Sequence, residues 1–283
     1  MDTLTQDFRY AIRSLLKSPG FPIVAALTLA LGIGANTAIF TVINAVLLKP
    51  LPYRAPERLV TIWHLYPSMN GMEAPVSVPG FRDYRAQDRL FERAAVENGW
   101  NPNLTGQGEP ERVNAGLVSG DWFDVYGVAP LLGRTLRPDE AVAGKNHVVV
   151  LSHGMWNRMF AGDRGVLGRA IQLNGESYEI VGVMPASFRD FFNRGAQLWS
   201  PILFRPDQFA DGNRTNEYLS FTARLKPGDA QRIQRSLEVF QPSIGIPCAN
   251  EEIAEPSLVP FRNFEIAASF GDRRVPAGRR CSP

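Results

Sequence analysis

The side chains able to do chemistry are few, and their spacing argues against catalysis. His64, His147 and His153 are the only histidines. No two form an H-x-x-x-H pair, and no carboxylate spacing around them suggests a metal site. Ser152 and His153 come nearest to a nucleophile and its base. Neighbours at a helix start face different ways, and no G-x-S-x-G elbow surrounds them, so a helix-capping serine is the better account. Asp83 with Asp88 and Asp121 with Asp124 suit helix surfaces and first turns as well as any acid–base role. Cys248 and Cys281 are the only cysteines, which leaves residues 1–247 without a disulfide framework or a thiolate metal site. No G-x-x-x-x-G-K-[ST] phosphate loop occurs, and Gly32-Ile33-Gly34 follows no strand, so neither nucleotide fold is indicated. A formal net charge of +2, with no basic stripe interleaved with aromatics, excludes an electrostatic case for nucleic acid. The residues therefore describe a non-enzyme with no catalytic residue, no metal site and no cofactor of its own.

What such a chain is built around is the stretch from Phe21 to Leu48. No charged residue lies between Lys17 and Lys49, an uncharged run of 31 positions (18–48). As a helix, Ile23 to Val46 would extend roughly 36 Å, enough for a hydrocarbon core of about 30 Å. A signal-peptide core is about 7–15 residues and ends at a small-residue cleavage site. This run is longer and ends at Lys49-Pro50, so a retained transmembrane helix is expected. On a helical wheel Ala26, Ala30, Gly34, Thr37, Ala38, Thr41, Asn44 and Ala45 share an arc of about 120°. Small residues at that spacing let a second helix approach closely, and Thr and Asn can hydrogen-bond across the contact. The segment before the span has Leu4, Phe8, Ala11, Ile12 and Leu15 on one face and Asp7, Arg9, Arg13 and Lys17 on the other. It reads as an amphipathic helix, lying in the headgroup layer or docking a cytoplasmic partner. The short basic segment is weighted as cytoplasmic, which places the bulk of the chain outside the cytoplasm.

Beyond the span the pattern is α+β. Strands are predicted over Arg58–Leu65, Ala94–Trp100, Glu111–Ser119, His147–Leu151, Arg169–Leu173, Ser177–Val183, Gln197–Phe204 and Tyr218–Leu225. Asn174-Gly175 is the strongest hairpin signal. Helices are predicted over Ser77–Phe91, with Ser77 as cap and Phe81, Tyr84 and Leu90 inward, over Asp121–Tyr126, over His153–Phe160 behind the Ser152 cap, and over Asp229–Phe240. Gly133–Gly144 reads as loop. Residues 241–283 carry prolines, both cysteines and Arg273, Arg274, Arg279 and Arg280 without periodicity, and are expected to be poorly ordered.

Several stretches together resemble an ABC transporter permease of the MacB/FtsX type, and within it the acidobacterial-type branch. They are DFRYAIRSLLKSPGF, TLALGIGANTAIFTVINAVLLKPLPY, VPGFRDYRAQDRLFERAA, DWFDVYGVAPLLGRTLRPDE, VVVLSHGMWNRMF, VLGRAIQLNGESYEIVGVMP and LWSPILF, running in order from residue 2 to about 228. The resemblance implies an elbow helix within 1–20, a first transmembrane helix over 21–48, and a MacB-like periplasmic core domain over 49–228. That domain would be a two-part extracytoplasmic α/β unit with a β-rich insertion at about 111–198. It implies mechanotransmission or efflux rather than catalysis: ATP is bound by a separate cytoplasmic ABC ATPase subunit, whose cycle moves the membrane helices and the periplasmic domain. Expected partners are that ATPase, other permease helices or a second permease copy, and a periplasmic protein. The expected location is the inner (plasma) membrane, single-pass, with most of the chain periplasmic.

The family carries further membrane spans after this domain, whereas here the pattern is lost after Leu225-Lys226-Pro227-Gly228. Residues 229–283 therefore read as a helix followed by a disordered or frameshifted tail, and the chain as a truncated or partial form. A different reading is a membrane-anchored extracytoplasmic module that binds an envelope protein without any ATPase. An anchored hydrolase built on Ser152 is a third.

Overall fold

The computed structural model of the chain describes residues 20–43, 53–66, 72–106, 108–227 and 255–260. They belong to two separate units, one within residues 1–50 and the other within 51–283. The first unit contributes α1 (Gly20–Ile43), a helix of 24 residues without a single Asp, Glu, Lys or Arg. Pro22 falls among its first residues, whose N–H groups have no acceptor within the helix in any case. Its hydroxyls are satisfied locally: Thr28, Thr37 and Thr41 donate to the carbonyls of Val24, Ile33 and Thr37, each at 2.7 Å. Among the residues whose side chains are described, no helix is long and apolar enough to cross a membrane. In α1 the longest such stretch is Ala26–Ala38. The predicted elbow residues Leu4, Phe8, Ile12 and Leu15, and Asn44 at the end of the predicted span, lie outside the described residues.

The second unit is built on one large mixed sheet, which makes it an α+β domain. Three strands form its antiparallel centre: β1 (Leu59–Tyr66), β13 (Glu217–Leu225) and β4 (Phe91–Trp100). Thr61 faces Thr222 across the first pair and Ala223 faces Ala94 across the second. β4 then pairs antiparallel with β7 (Ala115–Val118), which runs parallel to β12 (Leu198–Pro201). β9 (Val148–Leu151), β11 (Glu176–Val183) and β10 (Ala170–Leu173) follow, and β5 (Asn103–Thr105) with β6 (Glu111–Arg112) close that side. Short strands β2 (Met72–Ala74), β3 (Val76–Ser77) and β8 (Leu132–Gly133) pair with β1, β13 and β11. The β10–β11 hairpin turns at Asn174 and Gly175 with φ of +52° and +84°, the left-handed pair that a type I′ turn requires.

Three apolar clusters hold this sheet. On one face α2 (Val78–Arg85) sets Phe81 and Tyr84 against Val60, Ile62, Phe91 and Phe221. On the other, α3 (Trp122–Tyr126) sets Trp122, Phe123 and Tyr126 against Phe188 and Trp199. Further along, α4 (His153–Phe160) sets Met155 and Trp156 against Val149, Leu151, Ile171 and Ile180. The serines before α2 and α4 cap as expected, Ser77 accepting from Gly80 N and Ser152 from Met155 N, both at 3.2 Å.

Several expectations change. The strand predicted over Gln197–Phe204 is only Leu198–Pro201, and the predicted loop Gly133–Gly144 begins with the last residue of β8. α2 ends at Arg85 instead of running to Phe91, because Phe91 is taken into β4 opposite Leu225. The stretch Glu111–Ser119 is two strands: β6 pairs with β5, whereas β7 pairs with β4 and β12. Of residues 241–283, where no element was expected, Glu255–Pro260 forms β14, antiparallel to β1. Its order comes from a partner backbone, which periodicity does not reveal. The predicted helix over 229–240 lies outside the described residues.

Glycine fixes one close crossing. A Cβ on Gly182 would lie 2.0 Å from the Arg134 carbonyl oxygen, and one on Gly133, at φ +67°, would lie 2.3 Å from that of Val181. Both obstacles are backbone and cannot swing away. Gly182→Ala is therefore expected to cost about 3 kcal/mol, the upper end of overpacking effects. Urea unfolding followed by tryptophan fluorescence measures this, and an unchanged midpoint would contradict it.

Candidate functional site

The residues singled out in the membrane-type segment all fall on α1 where they are described. Ala26, Ala30, Gly34, Thr37, Ala38 and Thr41 are exposed there, and a Cβ on Gly32 or Gly34 would meet nothing within 4 Å. The larger apolar side chains are as open: Leu31 is 77% and Ile33 65% exposed. In water each such side chain would forfeit on the order of 1.5–3 kcal/mol of burial.

In the domain the residues flagged for chemistry do not converge. The Ser152 hydroxyl accepts the Met155 N–H as the helix cap, while His153 Nδ1 lies 3.0 Å from Asn157 Nδ2 and its ring packs edge-on to Trp156. His64 is buried, bonded to Glu217 through Nδ1 and to the Tyr84 hydroxyl at 2.9 Å through Nε2. His147 sits 3.4 Å from Glu176. Asp83 pairs with Arg214 at 2.7 Å, Asp121 with Arg85 at 3.1 Å and Asp124 with Arg93 at 3.7 Å. No group of three or more metal-ligating side chains occurs among the described residues. Ser152 and His153 line a cleft of about 400 Å³ together with Tyr53, Arg189, Asp190 and Arg194.

Beneath that cleft lies a feature that the sequence analysis missed. Glu97 on β4 and Asp190 are both buried, at 2% and 7% exposure, and their carboxyls meet inside the aromatic cluster. Asp190 accepts from Trp199 Nε1 at 2.6 Å and from Asn193 N at 2.9 Å. Asn193 in turn donates to the Ala115 carbonyl at 2.7 Å, tying the loop to β7. The Phe192 backbone N–H, the Trp122 indole and the Tyr126 hydroxyl also act on the pair, the last linked to Thr222 and near Tyr53. Burial, then the Asp190 charge and a hydrogen bond to it, drive Glu97 well above the usual carboxylate range. Burial pushes Asp190 up to about 6, against hydrogen bonds from Trp199, Asn193 and Glu97 that favour its charge. The two therefore titrate as a pair, both carboxyls held toward the protonated form by burial. One signal was available: Glu97 shares a strand face with Ala95, so period-2 alternation turns it inward.

Comparison with known proteins bears on what these two units are. Residues 23–239 match the family model described as the MacB-like periplasmic core domain. The crystal structure of the periplasmic region of MacB from Actinobacillus actinomycetemcomitans is similar, with 16% identity, a TM-score of 0.52, and 75% of this chain and 92% of that one covered. So is a domain of a protein described as a permease from Porphyromonas gingivalis, with 17% identity, a TM-score of 0.55, and coverage of 74% and 91%. At such identities the two structures support the fold alone. No curated protein matches the chain.

The acid pair makes stability depend on pH. A carboxyl whose folded pKa is raised contributes its full stability below the unfolded value of about 4 and loses it as pH rises through the folded value. The chain should therefore be more stable at pH 5 than at pH 8. Glu97→Gln, which keeps the shape and cannot ionise, should remove about 1–3 kcal/mol of that fall. Urea unfolding at the two pH values measures it; equal pH slopes in wild type and variant would contradict it.

Proposed function

The chain belongs to the MacB-like periplasmic core domain family, and from that premise we propose that it is a non-catalytic, permease-type subunit of a MacB-like ABC transporter. In this reading α1 is a membrane span and the sheet domain is extracytoplasmic. The single observation that carries the reading is the family match over residues 23–239, which takes in most of α1 and the sheet domain as far as β13. The span is supported by physical argument. Twenty-four helical residues without a charge extend roughly 36 Å, and the apolar side chains described on that helix are exposed. Hydrocarbon is the solvent in which that surface costs nothing.

The part played would be mechanical. A separate cytoplasmic ATPase binds and hydrolyses ATP, and the movement of membrane helices passes to the domain. The face of Ala26, Ala30, Gly34, Thr37, Ala38, Thr41 and Asn44 packs against other permease helices or a second copy, since small residues allow backbones to approach. Residues 1–20 serve as the elbow that meets the ATPase side through Leu4, Phe8, Ile12 and Leu15. Efflux or mechanotransmission without a channel both fit this arrangement. The continuous hydrogen-bonded sheet, from β14 to β6, supports a domain that transmits displacement without shearing internally.

Co-expression with a MacB-type ATPase from the same source tests this. The full chain, solubilised in mild detergent, should retain the ATPase on affinity capture. Replacing Phe8 and Ile12 with Asp should reduce the captured ATPase at least about tenfold, as expected when about 1.4 kcal/mol or more of apolar contact is lost. Capture of an envelope protein but no ATPase would contradict the proposal and favour an anchored interaction module.

A further inference from the structure

A second cleft, of about 370 Å³, lies in the domain where the chain first enters it. It is lined by Arg54, Arg93 and Arg224 together with Glu92, Asp124 and Gly127. The two carboxylates are engaged, Glu92 with Arg58 and Asp124 with Arg93 at 3.7 Å. Arg224, on β13, is only 2% exposed. Its Nε donates to the Val125 carbonyl at 2.9 Å and its Nη1 to the carbonyls of Arg54 and Ala55. Those bonds close off the end of α3 and explain why an arginine stands there. They leave Nη2 buried and, among the described residues, without a hydrogen-bond partner.

A buried guanidinium donor that finds no acceptor among the described residues is costly, the more so when charged. Here the charge is crowded as well. Burial, and then the neighbouring Arg58 and Arg54, hold Arg224 below the ordinary guanidinium range, with only partial relief from Glu92 and Glu57. Gly127, at φ +67°, lies directly against both arginines: a Cβ there would stand 3.6 Å from Arg224 Nη2 and 3.0 Å from Arg54 Cβ. Any other residue would crowd the two guanidinium groups.

We propose that this cleft binds a phosphate-type oxyanion, with Arg224 Nη2 and Arg54 as its donors and Arg93 at its rim. Guanidinium groups suit the several oxygens and multiple charge of phosphate, and a cluster of them suits it better than it suits a single carboxylate. Two sources present this chemistry: free phosphate, and the phosphodiester of a lipid headgroup. Arg54 follows the last residue of α1, Ile43, by 11 positions (43 to 54), so a headgroup source rests on the membrane reading of α1. A free-phosphate source does not. The site itself stands on Arg224 and goes beyond the permease assignment.

The test uses the full chain in micelles of a sugar detergent, which carries no phosphate, titrated with inorganic phosphate or with chloride at matched ionic strength, with the unfolding temperature as readout. A second set of micelles contains added phosphatidylglycerol. Arg54 and Arg93 are exposed, so Arg54→Ala and Arg93→Ala test the site without disturbing the core, which Arg224→Lys would risk. A free-phosphate site predicts that phosphate, and not chloride, stabilises the wild type, and that Arg54→Ala weakens this at least about tenfold. A headgroup site predicts that phosphatidylglycerol stabilises the wild type and abolishes its response to added phosphate. The variant would lose both effects. Absence of stabilisation by either, or equal stabilisation of wild type and both variants, would overturn the proposal. Neither outcome bears on whether an ATPase is captured, so the two readings fail separately.

Discussion

Trp199 is where the domain is tied together. Its indole, 2% exposed on β12, donates to Asp190 at 2.6 Å and packs on Phe188, Phe123 and Trp122 with ring centroids 5.4–6.1 Å away. Room for it comes from Gly116 on β7, where a Cβ would stand 2.8 Å from the Trp199 ring. The bridge from β4 through β7 to β12 thus depends on a large ring filling a space left by a glycine. Asp190 and Glu97 complete it, because the indole N–H needs an acceptor when buried, and the acceptor in turn needs a proton nearby to be tolerable.

That constraint shapes what the domain can do mechanically. Strands β1, β13 and β4 on one side and β9, β11 and β10 on the other have their own apolar clusters. The third cluster, around Trp122, Phe188 and Trp199, sits where they join. In the proposed mechanical role, a displacement applied near Arg54 would reach β13 through the Arg224 bonds to the Arg54 and Ala55 carbonyls. From β13 it would cross to β4 and the junction by backbone hydrogen bonds.

Much of this was legible in the sequence where the signal was local. Asn174-Gly175 turns the hairpin it predicts, Ser77 and Ser152 cap the helices they precede, and β1 follows its β-branched, aromatic run. The α+β class and the family resemblance stand, and the described small residues of the proposed packing face do lie on α1. What escaped was set by partners distant in the chain. Arg85-Ala86-Gln87 reads as continuing helix, yet β13 claims Phe91 for a strand. Residues 111–119 look like one strand, but their two ends pair with different neighbours. Glu97 and Asp190 are 93 positions apart (97 to 190), and Arg224 gains its meaning from carbonyls 169 and 170 positions away. No spacing rule reaches that far.

The account rests on α1 crossing a membrane with the sheet domain outside the cytoplasm, and labelling in intact cells tests this most directly. With Cys248 and Cys281 replaced by Ser, single cysteines are introduced as Ser14→Cys before α1 and Asn101→Cys at an exposed position of the domain. A membrane-impermeant maleimide should label Asn101→Cys before permeabilisation and Ser14→Cys only afterwards. Labelling of both positions alike, whether before or only after permeabilisation, would contradict the account.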